Sequence, residues 1–241
     1  MVRVIGILGG MGPEATILMM SRLLAATPAR DDADHIPLLV DSNTQVPSRI
    51  AHLIDGTGED PTPVLVGMAE KLVAGGAGVL AIPCNTAHSY YGAIAGAVPV
   101  PVLNMVELTA RRVADLHPIG PVGILASPAV EVTGVFADAF AGLGRKVIFP
   151  ADRGRILSAI RAIKAGRADD ALPILHDARA ELAEAGACVA VLGCSEFSIV
   201  AGRLDGAPLA LIDSLDVLVQ ACVAHAATDD FRSNQGADLA Q

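Results

Sequence analysis

Three features of the sequence predict an α/β protein made of two similar, pseudo-symmetric three-layer αβα domains, each with a mainly parallel four-stranded sheet. Apolar runs of four or five residues alternate with longer helical patterns along the whole chain. Those runs are nearly continuous rather than alternating with polar residues, the pattern of strands covered on both faces. The second half also echoes the first. Gly6-Ile7-Leu8-Gly9-Gly10 is matched by Gly123-Ile124-Leu125-Ala126-Ser127, and Leu80-Ala81-Ile82-Pro83-Cys84-Asn85-Thr86 by Ala190-Val191-Leu192-Gly193-Cys194-Ser195-Glu196.

In chain order, strands are expected at 4–8, 37–40, 78–82 and 100–103 in the first half. Those of the second half fall at 122–125, 146–149, 188–192 and 209–212. Helical patterns lie between them at 13–26, 63–74, 106–115, 132–143, 156–165 and 169–185. Strands separated by helices imply parallel pairing. The expected N-terminal domain is 1–104 plus 209–228, carrying Cys84, and the C-terminal domain is 105–208, carrying Cys194. Residues 229–241 are polar and contain glycine, the composition of a disordered tail.

The 241 residues are 52% hydrophobic and 18% charged, with a formal net charge of −9. Only three lysines are present (Lys71, Lys146, Lys164) and no basic run, which argues against nucleic acid or an anionic membrane surface as partner. The span 72–106 has no Asp, Glu, Lys or Arg, but Pro83, Asn85, His88, Pro99, Pro101 and Asn104 interrupt it. It therefore reads as buried strands around a helix start, not as a membrane span. The N-terminal apolar run is too short for a secretory leader, so a cytoplasmic protein is expected. Four cysteines in such a chain do not suggest a disulfide framework, and Cys188 and Cys222 read as small buried hydrophobes.

Cys84 and Cys194 are different. Each follows an apolar strand and precedes amide or hydroxyl residues, as at a strand-to-helix turn. Free backbone N–H groups at such a turn stabilise a thiolate, lowering its pKa, and can hold a carboxylate. Two related units packed face to face would aim both sulfurs into the cleft at the strand ends, where open α/β sheets place ligands. Two thiols across one carbon suit two-base acid–base catalysis. One thiolate removes a proton from one face while the other thiol delivers one to the opposite face, giving the mirror image. Zinc is not expected, because there is no Cys-x-x-Cys spacing and His88 is the lone histidine near either motif. A Cys84–His88 nucleophilic pair remains an alternative.

The segments Gly6-Ile7-Leu8-Gly9-Gly10-Met11-Gly12-Pro13, Pro83-Cys84-Asn85-Thr86-Ala87-His88 and Gly193-Cys194-Ser195-Glu196 resemble the aspartate/glutamate racemase superfamily, and within it the cofactor-independent aspartate racemase branch. Glu196 stands where cell-wall glutamate racemases usually have His. The resemblance implies an isomerase that uses neither pyridoxal phosphate nor metal, acts on aspartate or a near relative, and forms a homodimer. It implies Cys84 and Cys194 as the catalytic bases. Met11, Asn85, Thr86 and Ser195 would cradle the substrate carboxylate and amine, with Ser127 at a position commonly Thr. Arg49 and Lys164 would meet the substrate carboxylates, which answers the repulsion set by the net charge. The chain departs from the family's frequent Pro-Asp-Arg-Thr at Pro47-Ser48-Arg49-Ile50, and Phe136 replaces a frequent Tyr. Losing an acid and a hydroxyl beside Arg49 leaves the preferred amino acid open.

Two other classes compete with this reading. Gly10-Met11-Gly12-Pro13-Glu14-Ala15 fits G-x-G-x-x-A after a strand, the fingerprint of an NAD-dependent oxidoreductase. Its acidic partner, Asp41, comes 29 residues beyond Gly12 instead of about 20. A non-catalytic dicarboxylate-binding protein of the same fold is the third class, although a binder has no need of two bases.

Overall fold

A computed structural model describes residues 3–204 and 208–227. The first sheet holds β1 (Ile5–Gly9), β2 (Leu38–Ser42), β3 (Val79–Ala81) and β4 (Val102–Leu103). Helices α1 (Pro13–Ala26), α2 (Thr62–Ala74) and α3 (Tyr91–Ala97) connect them. After β4 comes α4 (Met105–Leu116). The second sheet holds β5 (Val122–Leu125), β6 (Val147–Ile148), β7 (Val189–Leu192) and β8 (Leu211–Asp213). Between its strands run α5 (Pro128–Thr133), α6 (Val135–Ala141), α7 (Arg153–Lys164), α8 (Ala168–Glu184) and the short α9 (Ser195–Ile199). Helix α10 (Ser214–Ala227) follows β8.

The sheets share one topology, β2-β1-β3-β4 and β6-β5-β7-β8, with every neighbouring pair parallel. The α/β class and the internal repeat expected from the sequence are both present. Alternation along β1 explains the layering. Ile5 and Ile7 pack on Met19 and Leu23 of α1 and on Leu215 and Leu218 of α10. Leu8 joins the opposite layer with Leu65, Met68 and Leu72 of α2. In the second sheet Val122 and Ile124 meet α4 and the phenylalanines of α6, while Leu125 and Leu192 meet Ile160 of α7 and Leu175 and Leu182 of α8. Each strand is thus covered on both sides, which is why its sequence is a plain apolar run.

Three expectations need correction. The first concerns the domain bounds: the strand expected at 209–212 among those of the second half does pair in the second sheet, Ala190, Val191 and Leu192 with Leu211, Ile212 and Asp213, and so does not go with 1–104. Of the segment 209–228 assigned to the N-terminal domain, only α10 packs on the first sheet. The helical pattern 132–143 is two helices: Gly134, at φ 70°, ends α5 in a left-handed conformation and α6 starts beyond it. Helices α3, α9 and α10 were not expected as such. Helix α9 has five residues, and α10 is apolar on most of its surface, so neither offers a clear amphipathic period. The tail 229–241 lies outside the described residues. Among the described residues no helix is long and apolar enough to cross a membrane.

Candidate active site

The C-terminal ends of β1, β3, β5 and β7 meet between the two sheets, and each delivers part of one cleft. After β1 the chain turns at Gly10, whose φ of +88° brings it against the backbone of Asn43; a Cβ there would lie 2.4 Å from Asn43 atoms. Thr16 Oγ1 accepts from Gly10 N–H (2.9 Å) and donates to Gly12 O (3.2 Å), tying the turn to the first turn of α1. Met11 at its tip faces the cleft. Cys84 lies three residues past β3, ahead of a 3₁₀ turn at Thr86–Tyr90. Ser127 caps α5 after β5, its side chain accepting from Val130 N–H. Cys194 sits at the start of α9 after β7.

The cleft is a cavity of about 70 Å³, room for several waters and so for a small metabolite. All nine residues singled out in the sequence line it: Met11, Arg49, Cys84, Asn85, Thr86, Ser127, Lys164, Cys194 and Ser195. Ser48, Ile50, Ile160, Gly193 and Glu196 complete the wall. Both thiols are buried, Cys84 at 6% and Cys194 at 7% exposure. The two motifs are linked across the domains. Thr86 Oγ1 and Ser127 Oγ are 3.3 Å apart. Asn85 Nδ2 donates to Ser214 Oγ (3.0 Å), which donates to Leu192 O (2.7 Å). The buried Asn85 Oδ1 has no protein partner.

The cations are less free than the sequence suggested. Arg49 spends its Nη groups on the carbonyls of Val46 (3.4 Å), Pro47 (3.1 Å) and Met11 (3.3 Å), bracing the Met11 turn. Lys164 Nζ is 3.1 Å from Glu196 Oε1. The other oxygen of that carboxylate, Oε2, accepts from Cys194 Sγ at 2.9 Å. Burial, and then the Glu196 carboxylate, push the Cys194 thiol well above its ordinary value. This corrects the expectation of a lowered pKa at this helix start. One short turn of α9 offers little dipole to oppose a buried, like-charged neighbour. Glu196 is the site residue that sequence reasoning left out of its set. Its signal was an acid two residues beyond a strand-end cysteine.

His88 is not a catalytic partner for Cys84. Its Nε2 accepts from the backbone N–H of Met105 (3.0 Å), which leaves the proton on Nδ1 to be donated to Cys84 O (2.9 Å). Burial holds its pKa below the usual value, so the ring stays neutral and acts as a brace between β3 and α4. The dinucleotide reading gains nothing either, because Asp41 is engaged by Lys71 at 3.2 Å.

The profile of the Asp/Glu/hydantoin racemase family matches residues 8–222. The chain belongs to this family. A broad-specificity amino-acid racemase of Bacillus subtilis is 30% identical over 148 residues, covering 60% of this chain and 63% of that protein. The chain thus spans less than two thirds of that relative's length. A glutamate racemase of Acidothermus cellulolyticus is 26% identical over 215 residues, 87% of this chain and 76% of that protein. Among solved structures, the Picrophilus torridus aspartate racemase superposes with a TM-score of 0.83 at 22% identity, covering 93% of this chain and 94% of that one. That last similarity shows the fold. The family match on residues 8–222 places this chain among the Asp/Glu/hydantoin racemases.

Proposed function

We propose that the chain is a cofactor-independent amino-acid racemase that inverts Cα by two-base proton transfer between Cys84 and Cys194, with aspartate as its first candidate substrate. The observation that carries this reading is the pair of thiols at equivalent strand ends of two equivalent sheets, both lining one small cleft. In one direction a thiolate takes the Cα proton and the facing thiol returns a different proton to the opposite face; the reverse reaction exchanges the roles. A thiol near pKa 8.5 is a weak base for such a carbon. The site must therefore stabilise the charge that spreads onto the substrate carboxylate. Donors for that task are the backbone N–H groups beside the cysteines and the side chains of Thr86, Ser127 and Ser195. Asn85 Oδ1, an acceptor without a protein partner, suits the substrate ammonium. Arg49 and Lys164 supply local positive charge in a chain of net charge −9.

A neutral amino acid is the second reading for the substrate. Ile50 and Ile160 line the same cleft, and the charge of Lys164 is already met by Glu196. A homodimer and a cytoplasmic location belong to this proposal as well. The test is incubation of the protein with L- and D-aspartate, glutamate and a panel of neutral amino acids in heavy water. Deuterium at Cα of both enantiomers is expected for at least one of them, and both Cys84→Ala and Cys194→Ala abolish interconversion. Absence of exchange across the panel would leave a binding protein in place of an enzyme.

A further inference from the structure

The two thiols do not have equivalent surroundings. Cys194 Sγ is 2.9 Å from Glu196 Oε2, a contact that requires one shared proton. The other carboxylate oxygen is ion-paired with Lys164 Nζ at 3.1 Å. The proton therefore belongs to sulfur, as S–H donating to a carboxylate. Among the described residues no acidic side chain is hydrogen-bonded to Cys84 Sγ, and the nearby imidazole of His88 is committed to backbone groups.

We propose that Glu196 is a positioning residue for the proton on Cys194, making Cys194 the resting acid of the pair. This deepens the racemase reading and rests on it. When Cys194 gives its proton to Cα, its sulfur becomes a thiolate beside a carboxylate, and Lys164 offsets the repulsion. The Cys194 thiolate then regains a proton from water while the thiol formed at Cys84 releases its own to water, with no net proton gained; Met11, Ser48, Arg49, Lys164 and Glu196 border both this cleft and an outer one of about 450 Å³. The free enzyme returns in this way to one protonation form. The burial that raises the Cys194 pKa acts in the same direction. The charged and titratable groups around this sulfur are Glu196 on α9, Lys164 on α7, Arg49 in the segment after β2, Glu14 at the start of α1, and Cys84 opposite.

The test measures the thiol itself, so it does not depend on turnover. In a Cys84→Ser parent, the rate of iodoacetamide alkylation at Cys194 is followed against pH by peptide mass spectrometry. Glu196→Gln keeps the shape and removes the charge, and it should lower the alkylation midpoint by about one pH unit or more. Lys164→Gln removes the opposing charge and should raise it. A Glu196→Gln midpoint that stays in place or rises overturns the proposal. Should that variant fail to fold, Lys164→Gln decides: an upward shift supports the proposal, and no shift or a downward one overturns it. A protein that shows these shifts without deuterium exchange would lose the racemase reading alone. One that exchanges without the shifts would lose only the role of Glu196.

Discussion

His88 sits in the motif that carries Cys84, yet its work is mechanical. Both ring nitrogens are engaged by backbone groups, Cys84 O on one side and Met105 N–H on the other. That bond pattern requires the neutral ring, and burial depresses the pKa below 6.5. The unfolded chain protonates the same ring near pH 6.5. Between that value and the lower folded value the unfolded state binds more protons, so stability present above pH 6.5 is lost as the pH falls. The urea midpoint of the wild type should therefore drop between pH 7.5 and pH 5.5 by more than that of His88→Gln. Equal drops in the two proteins would show that another group sets the acid sensitivity. The thiols divide in the same way by environment. Cys222, among the side chains of α10 and the first sheet, is pushed up to about 12 by burial and is chemically quiet.

At the scale of elements, the break between α5 and α6 places two side chains at once. Helix α5 begins at Pro128 with Ser127 as its cap, so Ser127 faces the cleft, and Gly134 then lets α6 turn and bury Phe136 and Phe140. A side chain at φ 70° is strained, and Gly134→Ala should lower stability by about 1 kcal/mol. Thermal unfolding would register that as a lower midpoint, whereas an unchanged midpoint would mean that the loop relaxes at no cost. The strands were legible because burial on both faces leaves an apolar run with little else to confuse it. The positions lining the cleft were legible for a related reason, since polar residues and cysteines directly after such runs have few other places to go. The signals for the α5 break were present in Ser127-Pro128 and Gly134, but the apolar pattern over 132–143 masked them. No local signal reveals the Lys164–Glu196 pair, because it joins α7 to α9 only after the second sheet has formed.

At the scale of the whole molecule, each half lends a helix to the other. Helix α4 leaves the first sheet and packs on the second, while α10 leaves the second and packs on the first. The exchange holds the two sheets together and so fixes the width of the cleft. One polar cluster reinforces it. Arg22 of α1 donates to Asp213 of β8 (2.6 Å) and to the carbonyl of Ser198 in α9 (2.7 Å), and it also pairs with Asp216 of α10 (2.9 Å). Asp213, only 6% exposed at its side chain, further accepts from Ser198 Oγ (2.6 Å) and from the backbone N–H of Leu215 (2.9 Å). Removing Arg22 would strand a buried carboxylate, a change far more costly than losing a surface ion pair. Because Arg22 itself is partly exposed, Arg22→Ala should cost about 2–3 kcal/mol, somewhat below the range for fully buried pairs. For a chain of this size that is a fall in Tm of about 5–10 °C. Cys194 lies on the same α9 segment, so the variant should also slow Cα exchange at temperatures where it remains folded. A Tm within 1 °C of wild type would show that the exchanged helices hold the domains by apolar packing alone.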